Sequence, residues 1–178
     1  MTTPALTPDV LDALDVLDNP RASTDDRKAA HITIGFLEDE GTPEAVLAEA
    51  AALPNQHARS SVALNRHAPS SILARLAEDD DYAVRESVAW NPSTPLAVLE
   101  GLIYDSDPMV RHFAALNTSI TVSLLEVLLN DPEPLVRKGV AMSVGGTDEM
   151  REHLANRDED ERVREAARNH ITYRACLR

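Results

Sequence analysis

The sequence predicts an all-α fold, a solenoid of stacked two-helix repeats about 26 residues long. Three observations carry that expectation. A Val-Arg pair recurs at Val84-Arg85, Val110-Arg111, Val136-Arg137 and Val163-Arg164, preceded by Ala58-Arg59, at intervals of 26, 26, 26 and 27 residues. Leucines recur in step at Leu47, Leu73, Leu99 and Leu125, and again three residues on at Leu76, Leu102, Leu128 and Leu154. The hydrophobic fraction is 43% but the aromatic fraction only 3%, so the core must be made of Ala, Leu, Val and Ile. Sheets ordinarily draw on more aromatic and β-branched residues.

The segment from Asn91 to Asn117 shows how one repeat is expected to fold. Asn91-Pro92-Ser93-Thr94-Pro95 reads as a turn into a helix, with Ser93 or Thr94 as cap and Pro95 in the first helical turn. Leu96, Leu99, Leu102 and Ile103 give an apolar stripe at helical spacing. Tyr104-Asp105-Ser106-Asp107 breaks it, and Pro108 opens a second helix, expected to be the shorter, through Val110, Phe113 and Ala114. Pro43 and Pro69 precede Pro95 in register, and Thr121 and Thr147 follow it. The column Ala63, Ala89, Ala115, Ala141 predicts close contact between adjacent helices, where a larger side chain would separate them.

The regular repeats are expected over 42–170, between an irregular acidic helical cap over 1–41 and a tail of the last repeat over 171–178. In the cap, Val10, Leu11, Leu14 and Leu17 are apolar among Asp9, Asp12, Asp15 and Asp18, and Arg27-Lys28-Ala29-Ala30 reads as a degenerate copy of the arginine helix. At the other end Arg151 replaces an expected leucine and Arg168 enters an apolar column, which predicts a solvent-facing cap.

The combined pattern, D-x-D-x-x-V-R-x-x-V-A-x-N-P-x-T-P-x-x-x-L-x-x-L, has its best copy in DDDYAVRESVAWNPSTPLAVLEGLIYDSDPMVRHFAALN. It resembles the leucine-rich repeat variant family, a short HEAT-like helical solenoid, over about 42–170. The resemblance implies a right-handed superhelix of helix pairs and no catalytic residues. Some members of that family hold an iron–sulfur cluster on a cysteine cluster. This chain has one cysteine, Cys176, expected to be a tolerated thiol, so neither that cofactor nor a disulfide framework is expected.

Charge and composition narrow the function. The net charge of −13 opposes nucleic acid and anionic lipid at long range. Eleven acids face three bases in the first 54 residues, which suits steering of a basic partner or a soluble cap. No apolar run reaches membrane-spanning length and MTTPALTPDV lacks the character of a secretion signal, so a cytoplasmic location is the default expectation.

The arginine ladder, Arg59, Arg85, Arg111, Arg137 and Arg164, could track phosphates, but acids in step with it favour a structural role. Asp79, Asp105 and Asp131 precede Arg85, Arg111 and Arg137 by six residues, as Asp158 precedes Arg164, a spacing that could pair them across a turn or between repeats. Trp90 shares a column with Leu64, Leu116 and Met142, which favours packing between helices and leaves an interface anchor as the alternative. The residues expected to carry partner binding are Arg66, Tyr82, Glu86, Trp90, Tyr104, His112 and Lys138, because they vary between repeats. None of the six histidines falls in a metal-ligand pattern, and Gly145-Gly146 reads as a turn. No nucleophile–base set or cofactor motif is present. The expected function is therefore a non-catalytic protein–protein interaction module or scaffold, a monomer or weak dimer that binds a protein or peptide. Nucleic-acid binding along the ladder is the alternative.

Overall fold

The computed structural model describes residues 6–176, with side chains as far as Ile171; the thiol of Cys176 lies outside the described side chains. The described residues form twelve α-helices and one 3₁₀ turn, with no strand. The chain divides into two compact units, Met1–Ser93 and Thr94–Arg178. The first holds α1 (Pro8–Asp18), α2 (Thr24–Ile34), the 3₁₀ turn Gly35–Glu38, α3 (Glu44–Ala50), α4 (Gln56–Leu64), α5 (Ser70–Leu76) and α6 (Tyr82–Trp90). The second holds α7 (Leu96–Leu102), α8 (Pro108–Leu116), α9 (Val122–Leu128), α10 (Pro134–Met142), α11 (Asp148–Arg157) and α12 (Glu161–Cys176).

Each repeat has a leading and a trailing helix, but the lengths reverse the expectation. The leading helices α3, α5, α7 and α9 have seven residues and the trailing helices α4, α6, α8 and α10 have nine. Proline sets the start of the leading helices. Pro43, Pro69 and Pro95 are the caps themselves, in extended conformation, so neither Ser93 nor Thr94 caps α7. Where threonine replaces proline, its hydroxyl accepts an amide: Thr121 from Leu124 at 3.4 Å and Thr147 from Met150 at 3.2 Å. The trailing helices α6 and α8 are capped by Asp81 and Asp107, each accepting an amide at 2.8 Å, and Pro108 and Pro134 occupy the first helical position.

These starts fix the register in which side chains turn inward. The leucines of both columns and the valines of the Val-Arg pairs are buried, as are Ala63, Ala89, Ala115 and Ala141. In the first unit α6 packs along α4; in the second α10 packs against both α8 and α12. Gly139 permits one of these approaches. A Cβ there would lie 2.8 Å from His112 Nδ1, 3.1 Å from the His112 carbonyl and 3.2 Å from Ala115 Cβ.

A buried asparagine column ties repeats together through the backbone. Asn65 Nδ2 donates to the carbonyls of Leu37 and Asp39, and Asn91 Nδ2 to those of Ala63 and Asn65, all at 2.7–2.9 Å. Asn91 thus satisfies carbonyls at the end of the preceding trailing helix, which have no partner within that helix, and Asn65 does the same at the end of the 3₁₀ turn. Ser143 stands in this register in the second unit and is too short for the task. Its hydroxyl is buried without a hydrogen-bond partner among the described residues.

The C-terminal end corrects the expectation of a solvent-facing cap. Arg151 is 0% exposed, in the column otherwise held by Leu47, Leu73, Leu99 and Leu125. Its guanidinium donates to the carbonyls of Ala141 (3.3 Å), Ser143 (2.5 Å) and Gly146 (2.6 Å). The Ala141 and Ser143 carbonyls stand where Asn91 finds Ala63 and Asn65, so the arginine takes the role an asparagine of a following repeat would have. Gly146 makes room, since a Cβ there would meet Arg151 Nη2 at 3.2 Å. Arg168 does face solvent, donating to Glu161 and to the Ala155 carbonyl.

The N-terminal end uses a related device. Arg27, in the first turns of α2, donates to the carbonyls of Leu17 and Asn19 at the end of α1, the same offsets by which Arg151 reaches Ala141 and Ser143. In α1 the inward residues are Val10, Ala13, Leu14 and Leu17; Leu11 is outward, and Asp9, Asp12, Asp15 and Asp18 are exposed.

Candidate interaction surface

The arginine ladder is set by the turn between leading and trailing helices, where each arginine reaches two places at once. Its Nη1 donates back to the carbonyls five and six residues earlier: Arg59 to Leu53 and Pro54, Arg85 to Asp79 and Asp80, Arg111 to Asp105 and Ser106, Arg137 to Asp131 and Pro132, Arg164 to Asp158 and Glu159. Its other edge reaches forward to the next repeat. Arg59 Nε and Nη2 bind both oxygens of Asp79 at 2.7 and 3.0 Å; Arg111 binds Asp131 at 2.8 and 2.9 Å; Arg137 binds Asp158 at 2.7 and 2.9 Å. Asp79, Asp131 and Asp158 therefore each give the arginine six residues on a carbonyl, while their carboxylates serve Arg59, Arg111 and Arg137. Asp158 is a ladder member on this geometry. Arg164, in the last repeat, pairs with Glu161 on its own helix.

These pairs are bidentate and mostly shielded from water, the geometry in which Arg–carboxylate bonding is strongest. Hydrogen bonding to the aspartates raises the pKa of Arg59, Arg111 and Arg137. Burial pushes the Asp79 and Asp158 carboxyls up, but the arginine and the backbone amides of Asp81 and Asp160 outweigh it and hold both below the ordinary range.

The candidate binding residues fall into two groups. Tyr82, Glu86 and Trp90 are spaced four apart on α6 and share one face over about 12 Å of helix. Tyr82 and Trp90 are each 50% exposed and Glu86 is half-buried. Trp90, expected to pack between helices with a partly exposed anchor as the alternative, is half-exposed. Its column lies at the outer rim of the trailing helices, where Leu64 and Leu116 are half-buried and Met142 is 46% exposed. In the second unit Lys138 takes the position on α10 that Glu86 takes on α6. His112 takes that position on α8, but its Nδ1 donates to the Leu135 carbonyl at 2.9 Å, and burial lowers its pKa. This bond fastens α8 to α10, and the ring is half-buried, as Glu86 is. Arg66 lies in the turn after α4, where its carbonyl accepts the Ser93 hydroxyl, and Tyr104 is exposed in the turn after α7, near the ladder. Neither belongs to the trailing-helix face.

No protein-family profile, curated protein or solved structure matches the chain. Function therefore has to be read from the surface itself. No group of histidine, cysteine and acidic side chains suited to hold a metal ion occurs among the described residues. His57 meets His31 edge-to-face, with ring centroids 5.6 Å apart, and burial followed by the charge of His31 lowers its pKa. No helix among the described residues is long and apolar enough to cross a membrane.

Two clefts open in the second unit beside Lys138. One, of about 360 Å³, is lined by Lys138, Met142, Ala166, Asn169 and His170. A smaller one, of about 100 Å³, is lined by Pro134, Leu135, Lys138, Asp160, Arg162 and Val163. Sequence reasoning named Lys138 but missed these clefts, because they depend on how α10 and α12 face each other.

Proposed function

We propose that this chain is a non-catalytic protein-interaction module that holds a protein or peptide on the outer face of its trailing helices. The observation that carries the reading is a division of labour between two edges of the repeat. At the turn edge, arginines are occupied by carbonyls and carboxylates of the fold. On the trailing helices, Tyr82 and Trp90 stay half-exposed on one face. Large aromatic side chains in that setting are the usual anchors of protein interfaces. The ladder pairing weighs against the nucleic-acid alternative, since phosphate tracking needs several cations per repeat that are not already bound to carboxylates.

The same reading takes the repeats as a right-handed solenoid of the leucine-rich repeat variant kind, cytoplasmic, and a monomer or weak dimer. It assigns the acidic N-terminal helices a steering role toward basic regions of the partner. Affinity capture from cell extract, with and without nuclease, tests it. The expected result is one protein retained after nuclease and lost with folded Trp90→Ala or Tyr82→Ala. Recovery of nucleic acid, with every protein lost after nuclease, would overturn it.

A further inference from the structure

The seam between α8 and α10 is closed, by the His112–Leu135 hydrogen bond and by Gly139 lying against His112 and Ala115. The seam between α10 and α12 is open. It carries the two clefts, and Lys138 lines both. The interval between the arginines of these two repeats is 27 residues instead of 26, and α12 presents the small Ala166 there. The groove floor is apolar along Leu135, Met142, Val163 and Ala166, with Met142 and Leu135 among the exposed large hydrophobic residues.

Charge decides what such a groove takes. No carboxylate among the described residues ion-pairs with Lys138. Asp160, the carboxylate lining the smaller cleft, is bound by Arg162 at 2.7 Å. Lys138 is thus a cation between two partly apolar recesses, with its local carboxylate already committed. A buried or half-buried ammonium in apolar surroundings is complemented by an anion whose neighbour is apolar.

We propose that the α10–α12 groove binds an acidic–apolar peptide segment, with an aliphatic or aromatic side chain in the larger cleft against Met142 and Ala166 and an adjacent carboxylate on the Lys138 ammonium. This rests on the interaction-module reading and specifies the chemistry of one of its contact points. It is separate from the steering assigned to the acidic N-terminal helices, which acts on other regions of a partner.

Selection from a phage library of random dodecapeptides tests it, with the full-length protein as bait beside folded Lys138→Glu and Trp90→Ala variants. Lys138 is half-exposed, so its reversal leaves the melting transition in place. The expected wild-type pool pairs Leu, Ile, Met or Phe with Asp or Glu within two residues. A synthetic peptide from that pool should lose about tenfold in affinity for Lys138→Glu and recover when its acid is changed to lysine. A pool rich in basic residues, or one that Lys138→Glu selects unchanged, would overturn the assignment. If that pool vanishes with Trp90→Ala, peptide binding stands and only the groove falls. If no bait enriches any sequence, both readings fall.

Discussion

Replacing Arg151 with leucine puts into the last full repeat the residue that four other repeats carry at that register, yet it should destabilise the protein. The guanidinium fills the space of a core leucine and also donates to the Ala141, Ser143 and Gly146 carbonyls. Ser143 keeps a second donor, the Gly146 amide, so the loss falls mainly on two carbonyls. A buried polar group left without its partner costs roughly 1–3 kcal/mol, so Arg151→Leu should cost about 4 kcal/mol. For a chain of this length that is a fall of roughly 10 °C in melting temperature. Lysine, with one ammonium for three acceptors, should fall between. Asp148 lies 3.7 Å from the guanidinium but is half-exposed, and its removal should change stability little. Calorimetry gives the midpoints, and hydrogen exchange should show α10 and α11 losing protection first. A leucine variant as stable as the parent would refute the capping role of Arg151 and make it a tolerated substitution.

Three further outcomes follow from the same geometry. Gly139→Ala should cost about 1–3 kcal/mol in urea unfolding, because the new methyl meets His112 and Ala115; removing the His112 side chain as well should recover only part, since its carbonyl remains. Asn91→Ala should cost about 1–3 kcal/mol, because the Ala63 carbonyl loses its donor while the Asn65 carbonyl keeps the Ala68 amide. The folded Asp79 and Asp158 carboxyls lie below their ordinary values. Their stabilisation is therefore fully present above the unfolded carboxyl pKa and is lost as pH falls through the folded one. Urea midpoints measured from neutral pH into the acid range should drop below about pH 4, and Asp158→Asn should flatten part of that drop.

The repeat was legible because its register is written in residues that cannot move without cost: buried leucines and alanines, proline at helix starts, and arginine at a turn. The ladder was legible as a choice between two pairings. Deciding between them required the stacking, which brings Asp79 to Arg59 across 20 residues while turning its carbonyl toward Arg85. Arg151 was misread because charge at the end of a repeat array suggests solvent. A signal was present in the asparagine column, which ends in Ser143 and leaves the next carbonyls needing another donor. Trp90 was ambiguous because a column at the rim of a helix accepts Leu, Met or Trp whether half-covered or fully buried. The α10–α12 groove had no sequence signature beyond the 27-residue interval.

We place the partner on the trailing-helix face and not on the ladder. The direct test is the dissociation constant of the captured partner for the parent and for Tyr82→Ala/Trp90→Ala, at two salt concentrations and after nuclease. The account predicts a loss of at least about a hundredfold, with the melting midpoint little changed and only weak salt dependence. Unchanged affinity in the double variant, or binding that vanishes with nuclease and falls steeply with salt, would contradict it.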